Sequence, residues 1–109
     1  MAQTRPDIKT QVIDTNSASS NALVTAVSGK RVRVHGVWIQ AATVVTVTFE
    51  DDDGTNLTGP IDFTARERLE WYIRDNYEPY LVTQQGDGFN MLLSGAVQVS
   101  GVLHYSQED

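Results

Sequence analysis

Gly95-Ala96-Val97-Gln98-Val99-Ser100-Gly101-Val102-Leu103-His104-Tyr105 decides the fold. Val97, Val99, Leu103 and Tyr105 line up at every second position around a break at Gly101. That is the period of a strand with one face on a core and one in water. Just upstream, Phe89, Met91 and Leu93 share a face, and Ser94-Gly95 turns the chain between the two runs. Earlier still, Gly29 to Trp38 repeats the pattern. Val32, Val34 and Trp38 are expected to face the core, with Arg31, Arg33 and His35 facing outward. Gly36-Val37 disturbs that alternation, as a bulge or a close backbone approach does.

Working outward, Ala22 to Val27 reads as a first core strand and Thr43 to Phe49 as a third. In the latter, Val45, Val47 and Phe49 share one face. Glu50-Asp51-Asp52-Asp53-Gly54 is a turn. Ile61 and Phe63 alternate around Asp62, and Pro60 ahead of them suits an edge strand, since proline cannot donate to a central ladder. Thr64 to Asn76 carries two patterns. Thr64 and Glu67 form a capping box ahead of Leu69, Tyr72, Ile73 and Asn76 at helical spacing. Leu69, Trp71 and Ile73 also alternate as a strand would, and the all-β surroundings favour the strand. Tyr80 to Thr83 is a further short strand, and Gln84 to Gly88 a turn. About eight strands at roughly 10-residue spacing indicate an antiparallel sandwich or barrel.

The ends divide the chain further. Residues 1–21 read as an N-terminal arm and hinge, with a strand near Lys9 to Asp14 and a Ser/Asn tract at Asn16 to Asn21. Residues 22–105 form the sandwich, and residues 106–109 a polar tail. A chain of 109 residues supports one compact core. It has no Cys, which excludes disulfides and thiolate metal sites. The opening Met1 to Asp7 lacks the basic-then-apolar pattern of a signal peptide, and no run approaches the roughly 20 apolar residues of a membrane helix. A net charge of −6 argues against nucleic acid as a partner. Neither a membrane nor a nucleic acid is therefore an expected partner.

Candidate chemistry is sparse. His35 and His104 have no nucleophile elbow and no ligands at metal-binding spacing, so no catalytic residue, metal or cofactor is assigned. Glu50, Asp51, Asp52, Asp53 and Asn56 are the best set for a weak cation site. They lack the downstream Glu and the helices of an EF-hand, and a solvated acidic turn is the plainer reading. Trp38 and Trp71 read as core, whereas Tyr72, Tyr77 and Tyr80 are candidates for exposure and contact. Arg33 and His35 on an outward strand face, and Ile8, Val12 and Ile13 on the arm, complete the candidate partner-binding set. Apolar residues on both faces of single strands, such as Val44 against Val45 and Val102 against Leu103, point to a face that meets a neighbour.

Taken in order, several stretches resemble one family. They are the Ser/Asn-rich lead-in, Val27 to Val34, Ala41 to Phe49, Leu57-Thr58-Gly59-Pro60 and Leu92 to Tyr105. The likeness is to the small jelly-roll proteins of tailed bacteriophages, among them capsid decoration (cement) proteins and the bases of head fibres, and covers residues 22 to 105. It implies an all-β, jelly-roll-like sandwich with an extended N-terminal arm. It also implies a homotrimer on the capsid exterior, assembled in the host cytoplasm. The major capsid protein would be its partner, with a head fibre or another virion protein as a further one. On that resemblance the arm residues Ile8, Val12 and Ile13 are apolar anchors, and no catalytic residues carry over. The charged stretch Arg66 to Asn76 departs from the family pattern. A carbohydrate- or receptor-binding module of a phage tail or head fibre is the alternative the same fold allows.

Overall fold

A computed structural model describes residues 6–108. Among the described residues nine strands form two antiparallel sheets facing one another, a sandwich of jelly-roll-like architecture. The strands are β1 (Lys9–Thr15), β2 (Ser19–Val24), β3 (Arg31–Ala41), β4 (Val45–Asp51), β5 (Ile61–Phe63), β6 (Arg68–Trp71), β7 (Leu81–Val82), β8 (Phe89–Leu93) and β9 (Val99–Glu108). One sheet runs β1-β9-β3-β6, with β7 also on β3; the other runs β2-β8-β4-β5.

The alternating residues fill the space between the sheets, as sheet-on-sheet packing requires. Val47 and Phe49 of β4 pair with Leu93 and Met91 of β8, Val45 pairs with Phe63 of β5, and these residues and Phe89 are all buried. The Phe49 ring stacks on Phe89 within its own sheet, with centroids 5.4 Å apart. It also tilts against Trp71 of the facing sheet at 5.8 Å, joining the two layers. Val32, Val34, Val37, Ile39, Val99 and Leu103 close the core from the other side.

From Val99 onward the segment that decided the reading is one uninterrupted strand, β9; Gly95 to Gln98, expected to begin it, lie ahead of it outside any strand. Gly101 does not break β9. It sits between Ile13 of β1 and Ile39 of β3, where the backbones come so close that a Cβ would lie 1.8 Å from the Trp38 carbonyl oxygen. Only glycine fits such an approach. Of the residues read as a polar tail, Ser106 to Glu108 are the end of β9, and Asp109 lies outside the described residues. Gln107 pairs with Val32 and Glu108 with Arg31, and Ser106 is 1% exposed.

Two further boundaries move. The strand expected near Lys9 to Asp14 is β1, which lies along β9 of its own domain rather than extending away. The Ser/Asn tract read as a hinge already enters β2 at Ser19, paired with Leu93. Its carbonyls and amides find partners on β8, which outweighs the low strand propensity of Ser and Asn.

Residues 64–71 resolve as a turn and a strand, with no helix. The capping-box pair does form, since the Thr64 amide donates to Glu67 Oε1 at 2.9 Å. It closes a turn, however. Arg66 takes a left-handed φ of 63°, which ends any helical run, and Arg68 to Trp71 then pair with β3.

The bulge in β3 changes what the strand presents. The register with β9 slips between Val34 and Gly36. Before it Val32 and Val34 point inward; after it Val37 and Ile39 do. A one-residue insertion reverses every later side chain. Two expectations therefore reverse. Trp38, expected in the core, is turned outward and is 38% exposed, while His35, expected outward, is 1% exposed. His35 Nε2 shares a buried 2.9 Å hydrogen bond with Ser106 Oγ.

Burial is the main cause that pulls the His35 pKa below its ordinary 6.5, with Arg33 adding to it; Glu108 and the Tyr77 backbone oppose it. The unfolded chain thus takes up this proton before the folded one. The contribution of neutral His35 is present above pH 6.5 and is lost as pH falls from there through the lower folded value. Denaturant midpoints at about pH 7.5 and about pH 5.5 check this against His35→Gln. The wild type is expected to lose more stability on acidification than the variant, and equal pH dependence in the two would contradict it.

Candidate functional site

The outward face of the β1-β9-β3-β6 sheet carries one cross-strand row. Val12 pairs with Val102, Val102 with Trp38, and Trp38 with Glu70. Directly opposed residues of antiparallel strands share a face, so Val12, Val102 and the Trp38 ring make an apolar strip across three strands. Val12 is 69% exposed.

At the β6 end the strip opens into a groove of about 630 Å³, lined by Trp38, Trp71, Tyr72, Ile73, Arg68, Glu70 and His104. Gly36 makes the groove possible. A Cβ there would sit 2.9 Å from the Trp71 carbonyl oxygen and 3.3 Å from Ile73, so the bare glycine lets residues 71–73 cross over β3. Trp71 stacks on Tyr80 at 5.0 Å, and the Tyr80 hydroxyl donates to the Tyr72 carbonyl at 2.7 Å. The Arg74 guanidinium covers the Tyr80 ring at 4.1 Å. These contacts hold the wall from behind. Tyr72 itself projects into solvent, 73% exposed, with its hydroxyl donating to Glu70 Oε2. That bond is the first cause that holds the Tyr72 pKa above its ordinary 10.0. Arg68 reaches Glu70 at 3.4 Å and lies over Trp38, 5.2 Å from the ring centre.

The arrangement is an aromatic platform bordered by a guanidinium, a carboxylate, a phenol and an imidazole. Such a surface binds by stacking and hydrogen bonding. On the β1 side, His104 Nδ1 lies 3.3 Å from Thr10 Oγ1.

The sequence-derived candidates divide between this face and the rest of the molecule. Val12, Tyr72 and Tyr80 are brought to it, the first two as surface and the third as support. Ile13 is turned into the chain's own core at 1% exposure, so it is not an outward anchor. Ile8 is half-buried ahead of β1. Arg33 pairs with Glu108 at 3.0 Å, and His35 is buried behind β3. Tyr77 is half-buried in a turn, with a left-handed φ of 58°. Tyr72 alone of the groove lining was among the candidates; Trp38, Arg68, Glu70, Trp71, Ile73 and His104 are the groove residues that sequence reasoning missed. Gly36 held the signal: a bulge there reverses the parity of Trp38.

The acidic turn also comes apart on inspection. Glu50 Oε1 accepts from Ser20 Oγ at 2.8 Å, and Asp52 Oδ2 accepts the Gly88 amide at 2.9 Å. Asn56 faces Glu50 in an isolated bridge. Asp51 and Asp53 instead converge with Asp87, from the turn before β8. Among the described residues no helix is long and apolar enough to cross a membrane.

Against this fold and this site, comparison with family models, with curated proteins and with solved structures gave no match.

Proposed function

We propose that this chain is a non-catalytic recognition module, a jelly-roll-like sandwich that works by docking the Trp38–Tyr72 groove on a carbohydrate or a receptor surface. The observation that carries this reading is the groove itself. The outward Trp38 indole and the projecting Tyr72 stand beside Arg68 and Glu70 at the β6 edge of the sheet, while the Trp71 indole backs the wall against Phe49 and Tyr80. Sugars present apolar C–H faces and hydroxyl rims, which a ring flanked by planar charged groups can match. The volume falls in the range of about 300–1,000 Å³ usual for small-ligand sites.

A different observation favours a second reading, the trimeric decoration of a bacteriophage capsid. The Val12–Val102–Trp38 strip is apolar and outward, as a subunit or capsid contact would be. The ordered motifs from Val27 to Tyr105 that resemble phage decoration proteins support the same reading. On that account the chain belongs on a virion's outer surface, bound to the major capsid protein. Several modest contacts made at once would then hold it there.

A glycan array probed with the wild type and Tyr72→Ala tests the first reading. The expected result is a defined set of bound glycans and a loss of at least about tenfold in the variant, or about 1.4 kcal/mol. Tyr72 is mostly solvated, so its removal should shift stability by no more than about 0.5 kcal/mol. No bound glycan, or equal binding by both proteins, counts against it. For the second reading, light scattering coupled to gel filtration should give a mass near three chains that persists on dilution. A monomer at all concentrations, with no occupancy on capsids, would remove it.

A further inference from the structure

We propose that Asp51, Asp53 and Asp87 form a divalent-cation site, suited to Ca²⁺, that ties the turn after β4 to the turn before β8. The topology makes the site. Asp51 ends β4 and pairs with Phe89, the first residue of β8. Asp87 lies two residues before Phe89 and so comes beside the Asp51-to-Gly54 turn. One carboxylate oxygen from each of the three lies within 4.8 Å of the others. Oxygens bound to one Ca²⁺ at 2.3–2.6 Å can be at most about 5 Å apart, so all three fall inside that limit.

The observation that points to an ion is Asp51 itself. It is fully buried, at 0% exposure. Its Oδ1 accepts the amides of Asp53 and Thr55, both at 3.1 Å, which fixes the carboxylate in place. Its Oδ2 is buried with no hydrogen-bond donor, and so is Asp87 Oδ2. A buried carboxylate oxygen without a donor is costly, and a second one beside it adds charge repulsion. The ion pairs Arg33–Glu108 and Arg68–Glu70 use other carboxylates. A bound cation relieves both costs together.

The donor set selects the metal. Three carboxylates with neither thiolate nor imidazole disfavour zinc and copper. Two turns meeting at an irregular sheet end suit Ca²⁺, which accepts flexible geometry and completes its shell with water and carbonyl oxygens. Glu50 and Asp52, which the sequence grouped with Asp51 and Asp53, are engaged by Ser20 and Gly88 instead. This site does not depend on what the aromatic groove binds.

Calorimetric titration of the chelator-treated full chain with CaCl₂, alongside thermal unfolding with CaCl₂ or with EDTA, tests the proposal. One binding event is expected, with a Kd of about 10⁻³ M or tighter. A rise in Tm of at least about 5 °C is expected at saturating Ca²⁺. Asp87→Asn should weaken Ca²⁺ at least about tenfold. Asp53→Asn, at an exposed position, should do the same in a chain whose fold is unaltered, and it decides the matter if Asp87→Asn does not fold. No heat and no Tm shift in the wild type up to about 10 mM Ca²⁺ would overturn the proposal. Binding that Asp53→Asn leaves unchanged would overturn it as well.

Discussion

Everything on the outer face of the larger sheet depends on the bulge in β3 at Val34-His35-Gly36. A strand has only two sides, so one extra residue exchanges them for the rest of its length. Here the exchange sends Val37 and Ile39 inward, turns Trp38 out and leaves His35 buried against Ser106. Gly36 serves twice. It sits where the register slips, and its missing side chain lets Trp71 to Ile73 pass over the strand. Without the slip Trp38 would be a core residue; without the glycine the wall carrying Tyr72 could not close over β3. The apolar strip and the groove are two results of one local irregularity.

A second close approach holds the other side of this sheet. Gly101 lets β9 lie tightly against β3 at the Trp38 carbonyl, the same residue whose ring faces outward. β9 is therefore the central strand, with β1 on one side and β3 on the other. It fixes the distance between Val12 and Trp38 across Val102. Val12, Val102, Trp38, Arg68 and Glu70 lie on paired strands, while Tyr72 and Ile73 follow directly after the end of β6. The acidic corner is built differently. It depends on β4 and β8 being neighbours, which brings together two turns that are far apart in the chain.

Much of the sandwich was legible in the sequence because its core strands obey a strict period of two. Val45, Val47 and Phe49, and Phe89, Met91 and Leu93, could be assigned to a buried face from alternation alone, and all are buried. The strand near Lys9 was legible only from a weak apolar pattern at Ile8, Val12 and Ile13, since a single residue of β1, Ile13, is buried. The irregularities were less so. Gly36 announced a bulge but not its effect on Trp38, because parity after a bulge depends on which residue is inserted. Ser106 to Glu108 looked like a solvated tail since their side chains are polar, yet their backbone pairs with β3. The Thr64–Glu67 pair formed its hydrogen bond without a helix, as the left-handed Arg66 and the β3 edge together favour a turn and a strand. Asp87 was invisible as a partner of Asp51, because only the β4–β8 pairing brings them together.

The most direct test of this account is acrylamide quenching of Trp38 fluorescence in Trp71→Phe, which leaves one indole. The account predicts red-shifted emission and ready quenching in the folded protein, since the bulge turns Trp38 to the surface. Blue-shifted emission protected from quencher until the chain unfolds would place Trp38 in the core. That result would contradict the bulge, the strip and the groove together.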